Sequence, residues 1–126
     1  EEFKNSEIVY FAPSVSEREG IRMIGLYVLS EEDVLSGMKF DDSVVKGAWP
    51  IEFWHQSQGP RYRYLPRDQY YEIPMRCLVS KEFLNLFAAG RCISVSSRAL
   101  ASTRVTGTCL ALGEASAKIA FSYLNR

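Results

Sequence analysis

The chain of 126 residues carries no surplus of charge: 15 Lys and Arg stand against 15 Asp and Glu, for a formal net charge of zero. Such a balance provides no pull toward nucleic acid or an anionic membrane, so neither is expected as a partner. Histidine is nearly absent; His55 is the only one, a surface position is expected for it, and no other side chain ordinarily titrates near neutrality. Cysteine is sparse and odd in number, and Cys77, Cys92 and Cys109 lack CxxC spacing, which speaks against a local redox motif. No metal site is expected. No apolar run approaches the roughly 20 residues of a membrane span, whereas a hydrophobic content of 47% excludes disorder. Internal repeats and low-complexity segments are also missing. What remains has the size of one domain, long enough to bury a core.

The most informative stretch lies toward the C-terminal end. Leu86-Phe87-Ala88-Ala89 is an uninterrupted apolar run that ends in Gly90-Arg91-Cys92-Ile93-Ser94, and a polar loop, Ser102-Thr103-Arg104-Val105-Thr106-Gly107-Thr108, follows. A run of that kind fits a strand covered on both faces, and the glycine lets the backbone approach a ligand. Residues 108–124 read as a helix, because Leu112, Ala115, Ile119 and Tyr123 recur on one face. Glu114 and Lys118, four apart, mark its solvent side. Free N–H groups at the helix start, with the positive end of the dipole, favour an anion or an electron-rich ring. Strand, glycine and helix start also describe any ordinary αβ edge, so spacing alone leaves both readings open.

Longer motifs go further. Glu72-Ile73-Pro74-Met75-Arg76-Cys77-Leu78-Val79, then Asn85 through Ser94, then Ser102-Thr103-Arg104-Val105 and Thr108-Cys109-Leu110-Ala111-Leu112-Gly113 stand in this order. An earlier block runs Arg18-Glu19-Gly20-Ile21-Arg22-Met23-Ile24-Gly25-Leu26-Tyr27-Val28-Leu29. Together these resemble the C-terminal part of the FAD-dependent oxidoreductases with a glutathione-reductase-like flavin domain, over most of the chain from about Pro13 onward. The resemblance implies a mixed α/β (α+β) fold: an antiparallel cap sheet with short helices over residues 1–70, then the terminal strand and C-terminal helix of an FAD-binding domain over 71–126. It implies FAD as cofactor, an unidentified small-molecule substrate, and flavin contacts from Gly90, Arg91, Ser102, Arg104, Val105, Thr106, Gly107 and Thr108. No catalytic residue is assigned.

Departures from the family pattern bear on mechanism. Where the family often has Thr-His-Glu, this chain has Ser96-Ser97-Arg98, and where it often has Met-Pro it has Thr106-Gly107. A histidine near the flavin is thereby lost, while binding through backbone groups would survive. No Gly-x-Gly-x-x-Gly run, which cradles a dinucleotide pyrophosphate, occurs among the 126 residues. The opening Glu1-Glu2-Phe3-Lys4-Asn5 reads neither as a signal peptide nor as an initiator. The expectation is therefore a C-terminal piece of a longer oxidoreductase, with half a cofactor site, inactive alone and prone to self-association. The alternative is a non-enzymatic binding or assembly module that kept the scaffold without the cofactor.

The front two-thirds reads as strands with turns. Strands are expected at 8–11, 23–29, 49–58, 61–65 and 70–79, and exposed turn residues at 57–60. Ser30 and Asp33, three apart, predict a capped short helix over 31–36 that Gly37 stops. Asp41 or Asp42 is expected to cap another brief helical turn before Gly47. Trp49, Phe53, Trp54, Tyr62, Tyr64, Tyr70 and Tyr71 suit either a wall over a ligand or ordinary cross-strand packing. The three cysteines read as small buried hydrophobes. Arg76 is expected to pair with a structural carboxylate such as Glu72. Arg104 is open between gripping a ligand and serving as a structural or exposed charge.

Overall fold

The computed structural model describes residues 4–14, 17–55 and 58–125. Helix α1 (Glu31–Ser36) is followed by strands β1 (Ser43–Gly47), β2 (Ile51–His55), β3 (Gly59–Arg63) and β4 (Tyr71–Pro74), then by helices α2 (Ser97–Thr103) and α3 (Thr106–Leu124). Single 3-10 turns occupy Met75–Cys77 and Gly90–Cys92. The architecture is α+β, as expected. The expectation for the side chain of His55 lies outside the described residues, as does part of the turn at 57–60.

Local chemistry shapes α1 as the sequence predicts. The Asp33 N–H donates to Ser30 Oγ at 3.1 Å and the Ser30 N–H to Asp33 Oδ2 at 2.8 Å, so both ends of a capping box are made. Gly37 closes the helix in the left-handed region, at φ 67°. The Tyr27 hydroxyl also donates to Asp33.

The strands form two separate antiparallel ribbons, β1 with β4 and β2 with β3. In the first, Val45 faces Ile73 and Gly47 faces Tyr71. Gly47 is required by close approach: a Cβ there would lie 2.3 Å from the Tyr71 ring. Tyr71 is fully buried, and its hydroxyl meets Ser102 Oγ at 2.8 Å. Ser102 gives its one proton to the Trp49 carbonyl at 2.5 Å, so Tyr71 is the donor in the pair. β4, α2 and the segment leading into β2 are thereby tied together. Leu29, Val34, Ile51, Ile73, Leu78, Ile93, Leu100 and Leu112 complete a single core that every helix touches.

α3 agrees with its sequence pattern. Leu112, Ala115 and Ile119 are buried, and Tyr123 packs its ring edge-on to Phe87. Glu114 and Lys118 pair at 2.6 Å in solvent. A second apolar stripe on the same helix faces outward: Leu110 is 71% exposed, Phe121 69% and Leu124 84%.

Several expectations need correction. Residues 8–11 lie outside any strand and are exposed, because no described strand offers them a ladder. Residues 23–29 form no strand: the chain bends at Leu26 and Tyr27 and makes only isolated bridges, Gly25 to Ser80 and Leu29 to Val95. A Cβ on Gly25 would come within 2.7 Å of the Arg76 carbonyl, so this segment lies directly on the chain after β4. Instead of a helical turn, residues 41–42 turn into β1. β4 ends at Pro74 and passes into the 3-10 turn, where the Met75 N–H donates to the Asp42 carbonyl rather than to a ladder. Residues 86–89 are no doubly covered strand: they contribute one bridge, Phe87 to Val79, and Leu86 is exposed.

The polar stretch 102–108 is a further correction, since it ends α2 and begins α3. Its hydroxyls made it look like a loop. Ser96 caps α2 by accepting the Ala99 N–H at 3.1 Å, and Ala99, Leu100, Ala101, Ser102 and Thr103 are all buried. Arg76 pairs not with Glu72 but with Asp42, through Nε at 3.0 Å and Nη2 at 3.1 Å. That contact, the largest cause, holds the Asp42 carboxyl below its usual range. Glu72 instead accepts the Phe40 N–H. Of the cysteines only Cys77 is a buried hydrophobe; Cys109 is half-buried, Cys92 is exposed, and all three are free. No described helix is long and apolar enough to cross a membrane.

Candidate functional site

An open cleft of about 570 Å³ lies where four parts of the chain converge. The start of α3 supplies Val105, Thr106, Cys109 and Leu110, with Arg104 just before it; the 3-10 turn supplies Arg91, β2 supplies Glu52, and the N-terminal segment supplies Arg18. Long-range hydrogen bonds set these walls. Arg104 Nη2 donates to the Glu52 carbonyl at 3.3 Å, and Arg91 Nη1 to the carbonyls of Glu17 and Arg18 at 3.4 Å each. The Arg18 guanidinium sits 5.7 Å from the Trp54 ring centre. Glu52 accepts the Trp54 indole N–H at 2.7 Å.

Three guanidiniums, of Arg18, Arg91 and Arg104, and one carboxylate, of Glu52, line the cleft. Among the described residues Arg18, Arg91 and Arg104 enter no ion pair, so three permanent cations face one opening. Val105 caps α3 without a side-chain hydrogen bond. The Cys109 N–H is the first to reach back, to the Val105 carbonyl at 2.9 Å, which leaves the amides of Thr106, Gly107 and Thr108 without a helical acceptor. A 19-residue helix thus directs its positive end toward the arginines. Beside it, Gly90 adopts φ +67°, which a larger residue would strain to reach.

Of the residues singled out in the sequence, Arg91, Arg104, Val105 and Thr106 line the cleft together. Gly90 borders it through its approach to Cys109, and Gly107 opens α3 as an exposed residue. Thr108 is buried in the first turn. Ser102 is fully buried and spent on Tyr71 and Trp49, so it does not face the cleft. Arg18, Glu52, Cys109 and Leu110 also line the cleft and were not singled out in the sequence. For Arg18 and Cys109 the signal was present in the motifs that carry the resemblance; Glu52 gave none, because its place depends on where β2 docks.

The family model for FAD dependent oxidoreductases matches residues 1–126. The chain belongs to this family. No curated protein and no solved structure matches it. Membership brings FAD as the cofactor and gives no support to a cofactor-free module. The donor set of this FAD dependent oxidoreductase chain fits such a group, since unpaired guanidiniums and free helix amides suit an anionic or electron-rich ligand. No group of His, Cys, Asp or Glu able to hold a metal ion occurs among the described residues.

Proposed function

We propose that these residues form the flavin edge of an FAD-dependent oxidoreductase of the glutathione-reductase-like type, with the dinucleotide fingerprint supplied from outside them. The observation that carries this reading is the cleft at the start of α3, where Arg91, Arg104 and the unsatisfied first-turn amides converge. When bound, FAD supplies the two-electron chemistry. The chain's own groups bind and orient. Arg91 and the Gly90 backbone hold phosphate or ribityl oxygens, while the amides of Thr106, Gly107 and Thr108 and the Arg104 guanidinium favour negative charge on the ring edge. The aromatic hairpin β2–β3, with Trp54 and Tyr62 partly exposed, forms the substrate side of the same opening. The substrate is a small molecule.

The outward stripe of α3 belongs to this reading. Leu110, Phe121 and Leu124 form an exposed apolar face that a neighbouring layer would cover, and without that layer the chain self-associates. The test uses residues 1–126 with and without FAD. Half a cradle gives no stoichiometric yellow complex, and light scattering finds species larger than a monomer. A stoichiometric complex from this chain alone, or a monodisperse monomer at high concentration, overturns the corresponding part. In a protein that carries both halves, Arg91→Ala removes a charge-assisted contact worth roughly 1.5–3 kcal/mol. FAD affinity then falls about tenfold to a hundredfold, since each 1.4 kcal/mol is tenfold. Unchanged affinity places the cofactor edge elsewhere.

A further inference from the structure

Residues 17–22 run along the edge of the cleft and are lightly tied to the rest of the protein. Ile21 is 95% exposed, and a methyl group placed on Gly20 would meet nothing within 4 Å. Arg91 Nη1 reaches the Glu17 and Arg18 carbonyls at 3.4 Å each, beyond the usual length of such a bond. The next fixed point is Met23, whose N–H donates to the Cys92 carbonyl at 2.8 Å. An opening of about 320 Å³ separates the segment from the 3-10 turn, lined by Glu17, Arg18, Gly20, Ile21, Arg91 and Cys92. Charge along the segment is uneven. Glu19 pairs with Arg22 at 2.5 Å, and its carboxyl is held below the usual range first by the Ser97 hydroxyl of α2 and then by Arg22. Glu17 lines the smaller opening and not the main cleft, whereas Arg18 lines both.

We propose that residues 17–22 are a strap that closes on an anion held at Arg91, with Arg18 as the side chain that seals it. The proposal rests on the reading that Arg91 holds a phosphate. Neither arginine enters an ion pair among the described residues, and the Arg91 guanidinium bonds the carbonyl of Arg18 itself. Like charges on one edge repel, and an anion between them replaces that repulsion with two attractions. Only Nη1 of Arg91 is spent on the strap, so the other donors of its fork can take the anion while the tie to residues 17 and 18 is kept. Met23 is the fixed end, and Gly20 gives the segment room to bend. Arg18 now rests 5.7 Å from the Trp54 ring centre, and a phosphate oxygen is the stronger partner for its guanidinium.

Limited trypsin digestion of residues 1–126, read by mass spectrometry, reports on the strap at Arg18 and Arg22. Arg67, its side chain 96% exposed in the turn before β4, is the reference. Inorganic pyrophosphate is the probe, and calorimetry measures its affinity. At saturation it slows nicking at Arg18 and Arg22 by about twofold to fivefold, the range of an exposed ion pair, and leaves Arg67 unchanged. Cleavage tracks the open population, and the coupling between closure and binding is reciprocal. Arg18→Gln, at an exposed position, therefore weakens pyrophosphate by a similar factor and abolishes protection at Arg22. Unchanged or faster nicking with pyrophosphate bound, or equal protection at Arg22 in the variant, overturns the strap and leaves the anion site standing. Failure of pyrophosphate to bind the wild-type chain overturns both.

Discussion

The two ribbons of this molecule are alike in strand number and direction and opposite in surroundings. In β1–β4, Val45, Gly47, Tyr71, Ile73 and Pro74 are buried, and α1 and α3 pack against the pair. Among the described residues of β2–β3 only Ile51 is fully buried; Phe53 meets the Arg98 guanidinium of α2 at 4.5 Å, and Trp54, Arg61, Tyr62 and Arg63 lie toward solvent. An isolated two-stranded ribbon is marginal in water, so each depends on what covers it. Cover on one ribbon consumes its side chains as core. On the other, Trp54 is left toward solvent and Glu52 lines the cleft. Antiparallel pairing alone therefore does not say whether a ribbon is scaffold or binding wall.

The sharpest way to break this contrast is to empty one position in each ribbon. Ile73→Ala removes a fully buried side chain and is expected to cost about 2–5 kcal/mol of unfolding free energy. Tyr62→Ala, 41% exposed in β3, stays within about 0.5 kcal/mol. Urea unfolding of both variants measures the difference, and equal losses would show that the hairpin is as much core as β1–β4.

Alkaline unfolding probes the buried ribbon differently. Burial pushes Tyr71 from 10.0 up to about 12. A raised folded-state value means that its contribution is complete below pH 10 and is lost as pH rises toward 12. The loss attributable to Tyr71 above that range is on the order of 2–3 kcal/mol. Tyr27, also pushed from 10.0 to about 12 chiefly by burial, shares the window, and Cys77, pushed from 9.0 to about 12, begins to lose its contribution from pH 9. Tyr71→Phe isolates one group: the variant is less stable than wild type at neutral pH, yet loses less on going from pH 9 to pH 12. Parallel curves would contradict the burial of this hydroxyl.

Glycines provide the smallest effects and a change of sign. Gly47→Ala drives a methyl into the Tyr71 ring and is expected to destabilise by about 1–3 kcal/mol. Gly113→Ala, mid-helix on exposed α3 with nothing within 4 Å of the added methyl, stabilises by about 1 kcal/mol in the monomeric chain. Thermal melts of the two variants should move in opposite directions. A loss of stability at Gly113 would mean that another surface already approaches that face.

How much was legible follows the range of the interactions. Ser30, Asp33 and Gly37 announce α1 because a capping box is made within four residues. Leu112, Ala115 and Ile119 announce α3 because one helical face repeats whatever lies against it. Arg91, Arg104, Val105 and Thr106 were found because they stand in consecutive motifs, and the fold sets those motifs around one opening. The stretch 102–108 misled for a specific reason: Ser and Thr signal loops when their hydroxyls face water, whereas Ser102 spends its hydroxyl on Tyr71 and Trp49 inside the protein.

Composition, caps and helical period, which depend on neighbours within a turn or two, determined that this chain folds with a capped α1, an amphipathic α3 and a glycine before Arg91. Family motifs determined the cofactor. Packing decided the rest. Asp42 rather than Glu72 receives Arg76 because β1 runs antiparallel to β4 and brings residues 34 positions apart to hydrogen-bond distance. Cys92 reaches solvent while Cys77 does not because the 3-10 turn at Gly90–Cys92 lies at the surface and the one at Met75–Cys77 turns into the core. Arg18 and Glu52 join the cleft only because Arg91 and Arg104 reach the carbonyls beside them, contacts across more than 50 residues that no local pattern records.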